Sequence, residues 1–148
     1  MDFSGEETIK APRADVWAFL MDPHKSTECA PGLQSVEVID EKHFKCTVRA
    51  GVGMIRGNFN FDVVWQNMDE PSHAEMVANG TAAGSAVQMN STMDLEDDGD
   101  GTIMKWSANV RVSGKLAGVG GRLMSPVADR MTKDIFGCIR SKLEAGNA

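Results

Sequence analysis

The hydrophobic period of this chain changes from helical to alternating at Leu33 and back to helical after Gly120-Gly121, and these changes set the order of its secondary structure. Between Leu33 and Val112, apolar side chains recur at every second position, as in 44–50, where the even positions are apolar and the odd ones polar. This alternation predicts antiparallel strands with one buried face. After Gly120-Gly121 the apolar spacing becomes three and four residues. That spacing predicts one long amphipathic helix of about six turns.

The N-terminal part predicts one more strand and two short helices. Residues 3–10 are expected to form the strand. Pro12 suits the first turn of a helix, which Asp22-Pro23 then ends. A second, polar helical stretch ends at Pro31-Gly32. Together the elements predict one α+β domain over residues 1–148, in which a strongly curved antiparallel sheet of about seven strands wraps around the long C-terminal helix.

A cavity is expected beneath that helix. A strongly twisted sheet curves more than one helix can fill, and the two short helices can close only one end of the gap. The ten methionines suit such a lining, because their side chains are flexible and polarizable. The predicted lining consists of inward-facing side chains from the sheet and the helix: Phe44, Phe59, Phe61, Met76, Met89, Ser91, Met93, Met104 and Trp106, with Met124, Val127, Met131 and Ile135.

Composition excludes several classes of function. The net charge of -6 leaves no basic surplus for a general nucleic-acid binder. The histidines are scattered and lack the spacing of metal ligands, so we expect no metal site. No nucleophile elbow is present, and the predicted inward faces carry almost no titratable groups, so we expect no catalytic residues.

The cysteines favour a reducing compartment. Cys29, Cys46 and Cys138 are widely spaced and odd in number, so the sequence indicates neither a zinc knuckle nor a disulfide framework. The acidic, polar start lacks the features of a signal peptide, and no apolar stretch approaches the roughly 20 residues that span a bilayer. We therefore expect a soluble, cytoplasmic protein.

Two stretches carry a resemblance to the CoxG family of carbon monoxide dehydrogenase subunits. The first runs Phe3-x-Gly5-Glu6, Ala11-Pro12-x-x-x-Val16-Trp17-x-x-Leu20-x-Asp22-Pro23 and Cys29-x-Pro31-Gly32. The second and more specific one runs Trp106-Ser107-Ala108-x-Val110-x-Val112-Ser113-Gly114-Lys115-Leu116-Ala117-x-Val119-Gly120-x-Arg122-Leu123. The N-terminal pattern is also similar to the wider START and plant-allergen-like superfamily of helix-grip (SRPBCC) proteins.

The resemblance implies a helix-grip fold with a deep hydrophobic cavity. It also implies an accessory role beside a molybdenum-containing carbon monoxide dehydrogenase or related hydroxylase, with a quinone or similar lipid as cargo and peripheral contact with the inner face of the cell membrane. Many members carry a C-terminal extension that contacts the membrane, and the present sequence stops at Ala148. Strand parity places Gln88 and Asn90 on the outer face, so Ser91 is the predicted polar contact for a quinone carbonyl.

Three functions stay open at this point. The first is a non-catalytic carrier of a quinone or lipid, with no resident cofactor. The second is an enzyme of the polyketide cyclase kind, and the third is a protein-assembly or maturation factor whose cavity holds nothing. A buried acid or histidine projecting into the cavity would favour the enzyme, and a solid core with an exposed apolar patch would favour the assembly factor. No motif in the sequence identifies the ligand, the enzyme partner or the oligomeric state.

Overall fold

A computed structural model describes residues 1–52, 55–82, 84–118 and 121–145, without the side chains of residues 52, 55, 116, 121–124 and 145. The strands are β1 (Asp2–Ile9), β2 (Leu33–Asp40), β3 (His43–Val52), β4 (Ile55–Asp69), β5 (His73–Ala82), β6 (Ser85–Asp98) and β7 (Gly101–Gly114). The helices are α1 (Arg13–Met21), α2 (Pro23–Thr27) and α3 (Gly121–Ala145), and a short 3₁₀ turn covers Lys115–Gly118. The predicted order of elements is confirmed.

All seven strands form one antiparallel sheet in the order β1-β7-β6-β5-β4-β3-β2. Each strand from β2 to β7 therefore pairs with its neighbour in sequence, and β1 closes against β7 with Asp2 opposite Asn109 and Ile9 opposite Thr102. Gly114 ends β7 with a positive φ of 75°, and a Cβ there would lie 2.0 Å from the Gly84 carbonyl oxygen. Only glycine fits this close approach.

The two short helices follow from local capping chemistry. The Asp22 carboxylate accepts hydrogen bonds from the backbone N–H groups of His24 (3.0 Å) and Lys25 (3.2 Å), and Pro23 occupies the first helical position of α2. An aspartate at this position satisfies N–H groups that otherwise lack a partner. The same Asp22-Pro23 pair thus ends α1 and starts α2.

The long helix α3 has 25 residues, or about seven turns. None of the helices in the described ranges is long and apolar enough to cross a membrane. Two glycine-rich segments, 51–57 and 114–121, fall partly outside the described residues, which stop at 52 and 118 and resume at 55 and 121.

A disulfide between Cys29 and Cys138 corrects one expectation. The two Cα atoms lie 5.4 Å apart across a sequence separation of 109 residues, and Cys46 remains free. The bond joins the segment after α2 to the C-terminal half of α3. Sequence spacing provided no sign of it, because the pair forms only when the helix folds back over the N-terminal segment. Its presence does not fit the reducing compartment inferred from the cysteine spacing.

Candidate ligand-binding groove

The strand register places the nine sheet residues of the predicted lining on one face of the sheet. All nine predicted sheet residues are buried or half-buried, whereas the neighbouring Gln88 and Asn90 are exposed. The inner face is not uniform, because its apolar side chains form three separate clusters.

The first cluster is a closed end. Here α1 contributes Val16, Trp17, Phe19 and Leu20, and the far half of α3 contributes Phe136 and Ile139. Met93 and Met104, both predicted to line the cavity, are 4% and 7% exposed within this cluster, and Ile135 and Trp106 pack against it. These methionines fill space between packed elements, so this end of the molecule is a solid core.

The second cluster, which we call the central cluster, lies in the middle of the sheet. It contains three buried residues and five half-buried ones: Phe44, Val63 and Ala78, with Val36, Cys46, Phe61, Met76 and Met89. All eight belong to strands, and α3 adds no described side chain. The inner face is therefore incompletely covered here, although its side chains are apolar.

The third cluster lies where α3 begins. Val127 packs there against Phe59, whose ring is stacked with that of Phe61 at a centroid distance of 6.4 Å. The helix therefore contacts the sheet at Val127 and again from Ile135 onward. Met131, midway between them, is half-buried and belongs to none of the three clusters. The side chain of Met124 is outside the described residues. The described side chains of α3 thus add nothing to the central cluster, and we take the space between α3 and this cluster as the candidate groove.

Two polar groups on the inner face have no side-chain hydrogen-bond partner among the described residues. The Nε1–H group of Trp106 is buried and forms no hydrogen bond with the described residues. Ser91 is half-buried between Met76 and Ala108 in the strand register, and its hydroxyl forms no side-chain hydrogen bond in the described part of the chain. Because Trp106 is opposite Met93, it is a diagonal neighbour of Ser91 on the same face. A buried donor without a partner costs roughly 1–3 kcal/mol.

An ion pair on the inner face was missed by the sequence prediction. Arg140 of α3 donates to Glu7 of β1 at 3.1 Å, and their side chains are 34% and 23% exposed. Glu7 shares its face with Phe3 and Ile9, so strand parity could have identified it. The expectation of almost no titratable inward groups is therefore wrong at this position.

Burial also raises the pKa of the Cys46 thiol, which keeps that thiol protonated near neutral pH.

The histidines lie away from the groove. The imidazole of His73 forms hydrogen bonds with Asp94 (2.7 Å) and Glu75 (3.2 Å) on the outer face, and His43 contacts Asp62 there. Within the described ranges, no group of three or more acidic, cysteine or histidine side chains is arranged to hold a metal ion.

The curved seven-stranded sheet, the long C-terminal helix and the apolar interior define a protein of the helix-grip class. A conserved protein from Geobacillus kaustophilus has the same fold, with a TM-score of 0.91 and 25% identity over 98% of this chain and 96% of that one. A START superfamily protein from Mycobacterium smegmatis gives a TM-score of 0.74 at 12% identity, covering 97% of each chain. Ara h 8.0201 gives 0.71 at 17% identity, covering 98% of each.

Sequence comparison narrows the class to one family. The family model for the carbon monoxide dehydrogenase subunit CoxG matches residues 5–144, which is nearly the whole chain. The chain therefore belongs to the CoxG family. Comparison with curated proteins gave no match.

Proposed function

We propose that this protein is a non-catalytic carrier of a hydrophobic ligand, a quinone or similar isoprenoid lipid, and that it assists a molybdenum-containing carbon monoxide dehydrogenase-type enzyme. The observation that carries the proposal is the central cluster: its apolar Met76 and Met89 are half-buried on the inner face, and no described side chain of α3 belongs to it. Covering such a surface with an apolar ligand is favourable by roughly 25 cal/mol per Å².

A polar group near the groove suits a ligand that carries carbonyl oxygens. The half-buried Ser91 hydroxyl, opposite Met76 of the central cluster, offers a donor, whereas the Trp106 Nε1–H lies in the closed end against Gly5. A quinone presents two carbonyl acceptors on an apolar ring and tail. The family name supports the enzyme partner, and the fold shared with a START superfamily protein supports hydrophobic cargo. Peripheral membrane contact and a cytoplasmic location are part of this proposal, and the location requires that the Cys29 and Cys138 thiols stay reduced in the cell.

A second candidate is an enzyme of the polyketide cyclase kind, which the inward-facing Glu7 favours. Its carboxylate lies two residues from Gly5, on which Trp106 packs, and it is paired with Arg140. A neutral Glu7→Gln variant that retains full ligand affinity would match the carrier, since a carrier needs no proton transfer at this position. Loss of a turnover activity in the same variant would match the enzyme.

The first experiment identifies the cargo. Protein purified from its own host is examined by native mass spectrometry, and any bound molecule is extracted into organic solvent. A quinone or long-chain lipid at near-stoichiometric occupancy is the expected result. Finding no ligand, together with no binding of added ubiquinone or menaquinone, would overturn the carrier proposal and favour a protein-assembly factor.

Measuring quinone binding to variants then tests whether the cargo occupies the groove. Ser91→Ala removes the hydroxyl and is expected to weaken quinone affinity by roughly 0.5–1.5 kcal/mol, the net contribution of one hydrogen bond. Ser113→Ala, on the exposed face of β7, is the matched control and should leave affinity unchanged. Equal affinity in the two variants would place the ligand elsewhere.

A further inference from the structure

The cations of this acidic protein divide into paired and unpaired groups. Four arginine and lysine side chains form ion pairs with carboxylates: Arg13 with Asp97, Lys105 with Glu96, Arg140 with Glu7 and Lys142 with Glu28. Arg49 and Arg56, on β3 and β4, form no ion pair within the described part of the chain. Both side chains are exposed.

The strand register brings these two arginines together. Arg49 is opposite Asn58, and Arg56 is opposite Gly51, so the two are diagonal neighbours on the outer face of adjacent strands. Their cross-strand partners are neutral. Lys45 on the same face, by contrast, lies between Glu37 and Asp62. Like charges without intervening carboxylates repel one another, so the site lowers its free energy by binding an anion.

A concavity lies between the two side chains. It has a volume of about 370 Å³ and is lined by Arg49, Ala50, Gly51, Arg56 and Gly57. A Cβ added to Gly57 would meet no atom of the described residues within 4 Å. The Arg56 side chain lies over Gly51, where an added Cβ would be 3.2 Å from its Cγ, and Ala50 connects the concavity to the apolar cluster around Phe59.

We infer that this concavity, which we call the arginine corner, is a binding site for a phosphate group. The planar guanidinium fork matches the oxygens of phosphate in a bidentate geometry, and two forks at one site can share its charge. The net charge of -6 disfavours anions elsewhere on the surface, which confines binding to such a local basic site. The phosphate can belong to a soluble molecule or to a lipid headgroup. The inference is independent of which cargo occupies the groove.

The test uses the whole chain and two probes at constant ionic strength. Glycerol phosphate is titrated by nuclear magnetic resonance with observation of the arginine side chains, and sedimentation is measured with vesicles of phosphatidylcholine alone or with added phosphatidylglycerol. The Arg49→Gln/Arg56→Gln variant should lose at least about tenfold in affinity for the probe that binds, because charge-assisted hydrogen bonds are removed. The matched control, Arg130→Gln/Lys133→Gln, removes two exposed charges from α3 and should bind like the wild type.

Each result has a defined meaning. Saturable binding of glycerol phosphate supports a soluble phosphate ligand, and binding only to vesicles that contain phosphatidylglycerol supports a lipid headgroup. Binding of neither probe, or equal losses in the two double variants, would overturn the inference, since only general charge would then matter. Quinone binding measured on the same variants is expected to stay unchanged, so failure at the arginine corner is distinguishable from failure of the carrier proposal.

Discussion

The indole of Trp106 lies directly against the backbone of Gly5. The two residues are opposite each other in the register of β1 and β7, and a Cβ added to Gly5 would be 2.8 Å from Cζ2 of the ring. The other side of the indole approaches Phe136 of α3, with ring centroids 6.1 Å apart and an interplanar angle of 25°. The absent side chain of Gly5 therefore makes room for the ring that links the sheet to the helix.

Gly5→Ala is expected to displace this ring. The contact distance is too short for any real Cβ, so the indole must shift, at a cost of about 1–3 kcal/mol in the free energy of unfolding. Chemical denaturation with tryptophan fluorescence measures both the stability and the altered ring environment. Gly137→Ala is the control, because a Cβ on this exposed residue of α3 meets nothing within 4 Å. That change should stabilise the helix by roughly 0.5–1 kcal/mol. Equal stability of Gly5→Ala and the wild type would contradict the packing described here.

The disulfide should make a large contribution to stability. It closes a loop of 109 residues between a buried cysteine, Cys29, and the half-buried Cys138. A cross-link of this length restricts the unfolded chain, and its loss costs about 2–5 kcal/mol. Thermal unfolding is measured with and without dithiothreitol for the wild type and for Cys138→Ser.

The variant also supplies the control for this measurement. Dithiothreitol should lower the melting temperature of the wild type but leave that of Cys138→Ser unchanged. Thiol titration of the denatured, unreduced wild type should detect Cys46 alone. Detection of all three thiols in protein from its own host would show that the bond does not form there, and would support a reducing compartment.

The outer-face histidine His73 should give stability a pH dependence. Hydrogen bonds to Asp94, and then to Glu75, raise the pKa of His73 above its ordinary value of 6.5. Because the folded-state pKa is the higher one, the stabilisation is complete below pH 6.5 and is lost as the pH rises through the raised value. The side chain is 32% exposed, so solvent screening keeps the effect modest.

Removal of the Asp94 carboxylate tests this assignment. In Asp94→Asn, nuclear magnetic resonance titration should show the pKa of His73 falling toward its ordinary value. The stability difference from the wild type should be largest at the acidic side of this window and shrink as the pH rises. Asp98→Asn, in the exposed end of β6, should leave the titration of His73 unchanged. Identical titration curves in Asp94→Asn and the wild type would show that the hydrogen bond does not form in solution.

Much of the candidate site follows from strand parity. Alternation assigned Ser91 and Met89 to the inner face and Gln88 and Asn90 to the outer face, and burial agrees for all four. This works because successive side chains of a strand point to opposite faces whatever the rest of the fold does. The helical spacing of α3 is equally local, and Val127 and Ile135 each pack against an apolar cluster of the interior.

Parity could not divide the inner face into a closed core and an open groove. Met93 and Met89 lie on the same face of β6. Met93 nevertheless packs in the closed cluster with α1, and Met89 lies in the central cluster. Their different surroundings depend on where α1 and α3 contact the sheet. The sequence pattern of a strand contains no information on that contact.

The amino-acid sequence by itself determined the elements, their order, the buried face of each strand and the family. Only the tertiary structure decided which residues meet: Cys29 with Cys138 across 109 residues, and Glu7 with Arg140 across 133. Periodicity reports the side chains that share one element, because they are at most a few residues apart. Contacts between distant elements depend on how the helix lies on the curved sheet, and that placement is set by the summed packing of all the elements.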